Sequence, residues 1–285
     1  MCKNIITLMF LLVHLWINAQ PSQVITPIKS STHNMFELSQ KDISHNQVDY
    51  RLFIAVPKCK TQKPHPVLYM LDGNGQFPLL LNQIDSVDNQ TPIIVGIGYQ
   101  SEKAYPKERT RDYTIHVGKT NDGGGAESFY QFIQDIVKSY IQSIHMIDTT
   151  KQTICGHSLG GLFTLYVLFN HNHSFQHYIS GSPSLWWDNG AIIPTHRPLF
   201  DQQPKSVHIT LGQYEEDPKS DPSRKELSPE LLAKKEARKS DITTRELFRT
   251  ISEEVQECSL TVFERKNHGS SVSPFLIKAL NVASQ

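Results

Sequence analysis

The chain has no charge of either sign to spare: 28 basic and 28 acidic residues cancel to a formal net charge of zero. That balance excludes the basic stripe that binds phosphate backbones or anionic lipid, so no nucleic acid is expected as a partner. Cysteine is scarce as well, at four residues in 285. Cys2 lies at the extreme N-terminus, which leaves Cys59, Cys155 and Cys258, an odd count that does not build a disulfide framework. Cys155 stands in an apolar strand pattern before Gly156, where a buried small hydrophobe is the plain reading, and spacing does not decide whether Cys59 and Cys258 pair. Repeats and low-complexity blocks are missing, and so is any apolar run of membrane-spanning length. The longest, Ile5 to Ile17, is interrupted by His14 and falls short of the roughly 20 residues that cross a bilayer. With Lys3 ahead of it and Asn18-Ala19-Gln20 behind, it predicts a signal peptide over residues 1–19, cut after Ala19, and an exported chain, periplasmic or secreted, with no membrane span after cleavage. Cys2 precedes the apolar run rather than the cut, so it does not read as a lipid anchor. Gly118-Lys119-Thr120 lacks both the upstream glycine and the leading strand of a phosphate-binding loop, and reads as a flexible loop.

Strand-like and helix-like segments alternate through most of the length. Strands are predicted at Val48 to Val56, Val67 to Leu71, Ile93 to Gly98, Gln152 to Cys155, His177 to Ser180, Val207 to Leu211 and Ser259 to Glu264. Several are continuous apolar runs, as in a sheet buried on both faces. Helical patterns cover Ala126 to Ser143, Leu159 to Asn170, and Glu230 to Glu257 with a break near Lys239 to Ile242. The alternation predicts one α/β domain over residues 20–285, with a central, mostly parallel sheet flanked by helices. A helical, cap-like excursion is expected at about 219–257, between the loops that carry the acid and the histidine considered next.

The sharpest motif is Gly156-His157-Ser158-Leu159-Gly160-Gly161, with a strand pattern before it and a helix pattern after it. A nucleophile on a tight strand-to-helix turn needs small neighbours, and Gly156 and Gly160 supply them. The turn projects Ser158 Oγ outward and aims the Leu159 N–H where an oxyanion would form. Serine is a weak nucleophile at neutral pH and needs a base. Of thirteen histidines, His268 has the expected place, on a loop after the final strand. His157 is adjacent to the serine but points away from it on such a turn, while His171 and His173 sit at a helix end. The acid is expected after Val207 to Leu211, in Gly212-Gln213-Tyr214-Glu215-Glu216-Asp217. Glu215 is preferred on its spacing from Gly212, with Glu216 and Asp217 as alternatives. A second oxyanion donor, the N–H of Gly73 or Asn74, is expected from Asp72-Gly73-Asn74-Gly75, where Gly73 would let the backbone approach a ligand.

Together these stretches resemble the enterochelin-esterase-like, or "putative esterase", family of α/β-hydrolases. The resemblance rests on Val67 to Asn74, Val95 to Gln100, Arg109 with Asp112-Tyr113-Thr114, the serine turn, Ser182 to Trp187 and His268-Gly269-Ser270, in order along nearly the whole mature chain. It implies a serine esterase without cofactor or metal, acting on a small-molecule ester, either a trilactone catecholate siderophore such as enterobactin or an acylated or feruloylated sugar. It matches Ser158 and His268 to the catalytic pair, Asp72 to Asn74 to the oxyanion-side loop, and Arg109 to an arginine placed to contact polar or anionic substrate. Trp186 and Trp187, on the rim where α/β sheets bind ligands, and Tyr113 are candidate partners for an aromatic ring. Two rivals share these residues or this fold: an acyltransferase that passes the acyl group to another hydroxyl, and a non-catalytic binding protein. Nothing in the sequence sets the oligomeric state.

Overall fold

The computed structural model describes residues 22–59, 61, 63–116, 122–238 and 240–285. The segment expected to be a signal peptide, residues 1–19, and the expected flexible loop at Gly118-Lys119-Thr120 lie outside the described residues. A short helix α1 (Thr32–Met35) leads into β1 (Phe36–His45) and β2 (Val48–Pro57). Then follow β3 (His65–Met70), α2 (Gly73–Leu81), β4 (Ile93–Tyr99), α3 (Glu108–Asp112) and α4 (Ala126–Gln131). A π-helical stretch, Phe132–Val137, joins α4 to α5 (Lys138–Ile144), so the single helix predicted here is one rod with a widened middle. Next come β5 (Ile147–His157), α6 (Leu159–Asn170), β6 (His177–Gly181), β7 (Ser206–Gly212) and α7 (Gln213–Glu216). Helices α8 (Pro229–Glu236) and α9 (Thr244–Ser252), strand β8 (Glu257–Phe263) and helix α10 (Val272–Ala283) complete the chain.

The strands form one sheet in the order β1-β2-β4-β3-β5-β6-β7-β8. β1 pairs antiparallel with β2 and β2 antiparallel with β4; every other neighbouring pair is parallel. Seven strands are expected from the sequence and eight are present among the described residues. The additional one, β1, is an edge strand with mostly polar residues and little burial. Alternation along the inner strands sorts their side chains onto two faces. On β3, Val67 and Tyr69 join the core under α4, the π-helical stretch and α6, while Leu68 and Met70 join the core under α2 and α10. Neither α2 nor α10 was anticipated from the sequence.

The helical pattern predicted from Glu230 to Glu257, with its break near Lys239 to Ile242, forms two helices, α8 and α9, one on each side of the break. α9 begins at a capping box in which Thr243 Oγ1 accepts from Glu246 N–H and the Glu246 carboxylate accepts from Thr243 N–H. Its Leu247 and Ile251 are buried. The segment between α7 and α9 is tied back to the sheet body at several points. Asn189 exchanges two hydrogen bonds with Asp241, at 2.7 and 2.8 Å, and Asn267 Nδ2 donates to Asp221 Oδ2 at 3.2 Å. Cys59, Cys155 and Cys258 are all free thiols. No helix among the described residues is long and apolar enough to cross a membrane.

Candidate active site

The parallel strands end on one rim, and four of the turns that leave it hold a non-glycine residue at positive φ: Asp72 (55°), Ser158 (62°), Ser182 (41°) and Arg265 (55°). Such backbone is strained for L-residues and gathers where a site needs side chains held in fixed directions. Ser158, with ψ at −119°, caps α6 and is fastened on both sides. Its N–H donates to Gly181 O at 2.9 Å, and its carbonyl accepts from Ser184 N–H at 3.1 Å. Gly156 makes the turn possible, because a Cβ there would overlap the Gly160 carbonyl. Leu159 follows as the first helical residue, so its N–H opens the helix beside Ser158 Oγ.

Ser158 Oγ lies 2.9 Å from His268 Nε2, and His268 Nδ1 lies 2.6 Å from Glu215 Oε2. The other carboxylate oxygen, Oε1, accepts from Ser182 Oγ at 2.7 Å and from Gly212 N–H at 2.9 Å. Burial alone would push the Glu215 carboxyl up. The hydrogen bond and charge of His268, helped by Ser182 and the Gly212 N–H, outweigh it and hold the group at about 2. Glu216 turns the other way and forms a surface ion pair with Arg245, its Oε2 accepting from Nη2 at 2.8 Å. His157 meets Ser271 rather than Ser158, and His171 stacks on Tyr130 with its Nε2 against Glu127. A carboxylate, an imidazole and a hydroxyl in line can take the hydroxyl proton and stabilise the imidazolium that results.

Two expected substrate contacts are corrected by the structure. Arg109 is largely buried, and its Nε and Nη2 donate to the two carboxylate oxygens of Asp72 at 2.6 and 2.8 Å. Tyr113 is 0% exposed, and its hydroxyl accepts from Asp72 N–H at 2.9 Å. Both residues brace the turn after β3 from within. Asn74 is likewise committed through its side chain: Oδ1 accepts from Tyr99 N–H at 2.8 Å, and Nδ2 donates to the Tyr99 and Ser101 carbonyls at 2.9 Å. The need for Gly73 also differs from expectation, since a Cβ there would come within 2.7 Å of the Gly96 backbone; the close approach is to β4. What stays available from this turn is backbone, at the start of α2.

Trp186 and Trp187 follow Ser184, whose Oγ is 3.2 Å from Ser158 Oγ, so the pair sits on the same rim. Their rings meet edge to face at 5.8 Å, Trp187 Nε1 donates to Ile115 O, and the Arg238 guanidinium lies 4.8 Å from the Trp186 ring. Three residues that sequence reasoning did not single out, Ser182, Ser184 and Ser271, also belong to this site. Ser182 and Ser184 lay within a motif noted for its tryptophans.

A mostly parallel sheet in this strand order, with a strained serine at the β5–α6 turn and an imidazole and carboxylate after β8 and β7, defines an α/β-hydrolase. Residues 44–246 match the profile of the family described as "Putative esterase". The chain is 34% identical over 198 residues to the ferri-bacillibactin esterase BesA of Bacillus subtilis (strain 168), covering 60% of this chain and 68% of that one. Among solved structures, the BES protein from Bacillus cereus superposes with a TM-score of 0.69 at 26% identity, covering 93% of this chain and 99% of the other. The siderophore hydrolase EstA from Aspergillus nidulans shares the fold, with a TM-score of 0.72 at 22% identity, covering 92% and 98%. The chain belongs to the putative esterase family and is a carboxylic ester hydrolase.

Proposed function

We propose that the chain hydrolyses the ester bonds of a siderophore through an acyl-enzyme, with Ser158 as nucleophile, His268 as general base and Glu215 as the acid that orients the base. The single observation that carries this reading is the unbroken line Ser158 Oγ–His268–Glu215, at 2.9 and 2.6 Å. In it, His268 Nε2 removes the Ser158 proton as Oγ attacks the ester carbonyl. The tetrahedral oxyanion is received by the Leu159 N–H and by an N–H of Gly73 or Asn74 at the start of α2. Collapse expels the alcohol, which takes its proton from the imidazolium. Water, deprotonated by the same imidazole, then frees the acid and restores Ser158.

The relatives named above support the siderophore substrate, being a ferri-bacillibactin esterase and a siderophore hydrolase. In this reading Trp186 and Trp187 offer ring faces to an aromatic acyl group at the rim. The apolar leader from Ile5 to Ile17 supports an exported protein made of one hydrolase domain, residues 20–285, behind a cleaved segment 1–19. Neither the acyltransferase nor the binding-protein alternative is favoured by any feature of the site.

The test compares a catecholate trilactone, a feruloylated sugar and an acetylated sugar as substrates for the wild type and Ser158→Ala. The trilactone should be cleaved with the highest kcat/KM, and the variant should lose on the order of 10^4-fold or more in kcat. Undiminished turnover by Ser158→Ala would refute the mechanism. Preference for either sugar ester would refute the substrate.

A further inference from the structure

Behind the hydrogen-bonded line lie three polar side chains that the mechanism above leaves unused. His157, Ser182 and Ser271 are 3%, 2% and 0% exposed, and they come from the end of β5, the turn after β6 and the N-cap of α10. Their protons can be assigned by elimination. Ser271 Oγ donates to the carbonyl oxygen of His268 at 3.0 Å, which uses its only proton. His157 Nε2, 3.0 Å from the same Oγ, must therefore be the donor between those two. Ser182 Oγ gives its proton to Glu215 Oε1 and stands 3.3 Å from Ser271 Oγ, a contact in which neither hydroxyl has a proton left to give.

We propose that His157, acting through Ser271, and Ser182 are positioning residues of the esterase: the first pair fixes the backbone of His268, and Ser182 fixes the carboxylate of Glu215. The inference rests on the roles given above to Ser158, His268 and Glu215. It explains why an imidazole next to the serine takes no proton from it. The ring is turned inward, packs against Phe275 at 5.6 Å between centroids, and serves the other histidine from behind. The ionisable groups that act on it are His268, whose ring is 4.9 Å away, Glu215 and, more weakly, Arg109. Burial, reinforced by His268, holds His157 at about 3, so its donor role does not change across the working range of an esterase. Ser182 is likewise fixed, by a left-handed backbone and by its N–H bond to Thr210 O at 2.8 Å.

The proposal makes three kinetic demands on the full chain, assayed with an aryl ester. His157→Phe and Ser271→Ala should each lower kcat about 10- to 100-fold with KM unchanged, as a displaced base does. Their double variant should be no worse than the poorer single, because both break one chain of contacts. His157→Gln, whose amide N–H reaches about as far as Nε2–H, should recover most of the loss. Ser182→Ala should move the acid limb of kcat/KM to higher pH, because a carboxylate that has lost a donor holds the imidazolium more strongly. A wild-type kcat in His157→Phe, additive losses in the double variant, or an acid limb that stays or moves down would overturn the proposal.

A measurement on the unaltered protein guards against misfolded variants. The imidazole NMR signals of His157 should show the Nε2–H tautomer and no titration between about pH 4 and 9, and a proton on Nδ1 or a midpoint near neutrality would overturn the idea. Labelling by a fluorophosphonate separates the nucleophile from the brace behind it. A wild type that does not label sinks the Ser158 reading itself, whereas a labelled wild type with unaffected variants sinks only the brace.

Discussion

Glu215 and Glu216 are neighbours with the same functional group, and backbone direction separates them. Gly212 N–H and Ser182 Oγ turn the first carboxylate inward to His268, while Arg245 holds the second at the surface. Glu215→Gln should therefore lower kcat/KM by on the order of 10^4-fold, because an amide neither fixes the required tautomer nor stabilises the imidazolium. Glu216→Gln should stay within about twofold, and steady-state kinetics on the two variants checks the contrast. Equal losses would place the acid elsewhere. The meeting of Ser158 and His268 is readable from chain order, since serine, acid and histidine stand after the fourth, sixth and seventh strand patterns. Arg109 and Tyr113 were not legible in this way. Their partner Asp72 is 37 and 41 residues away, and nothing local shows that a charged side chain will be consumed by an internal ion pair.

Elements carried more of the pattern than single residues did. The inner strands announce themselves as apolar runs because both faces are covered, and α6 matches its predicted span, Leu159 to Asn170, since a glycine-flanked serine starts it and an apolar run fills it. β1 was invisible because its alternation is weak and its outward face is wet, and α2 because Asp72-Gly73-Asn74-Gly75 reads as a turn before Phe77 and the leucines can register as helix. The π-helical stretch leaves no compositional mark. At the β5–α6 turn, Gly156→Ala drives a methyl into the Gly160 carbonyl and the Leu71 side chain. Overpacking of that kind should cost about 1–3 kcal/mol. The midpoint of urea unfolding should fall at unchanged slope, and an unshifted midpoint would mean that the turn has slack it does not show.

Across the whole molecule, the buried His157 and His208 and the partly buried Glu215 respond to acid in the same direction. Burial holds His157 at about 3 and His208 at about 4, and the His268 contact holds Glu215 at about 2, each below its ordinary value. For a group depressed on folding, the unfolded chain takes up the proton first, so the stability it contributes is complete above the unfolded value and is lost as pH falls through the folded one. Stability should begin to decline below about pH 6.5 as the two histidines engage, and more steeply below about 4.3 as Glu215 joins them. Each depressed imidazole adds up to about 1.4 kcal/mol per pH unit in its window. Urea melts of the wild type and His208→Gln from pH 7 to 4 check this, and an identical slope in both would remove His208 from the account. Ser158 leaves β5, which has strands on both sides, whereas His268 follows β8, the outermost strand. The hydroxyl is thus anchored at the hub and the imidazole at the margin, so gentle warming should silence turnover by letting the margin drift while the hub, and the bulk of the fold, still stand.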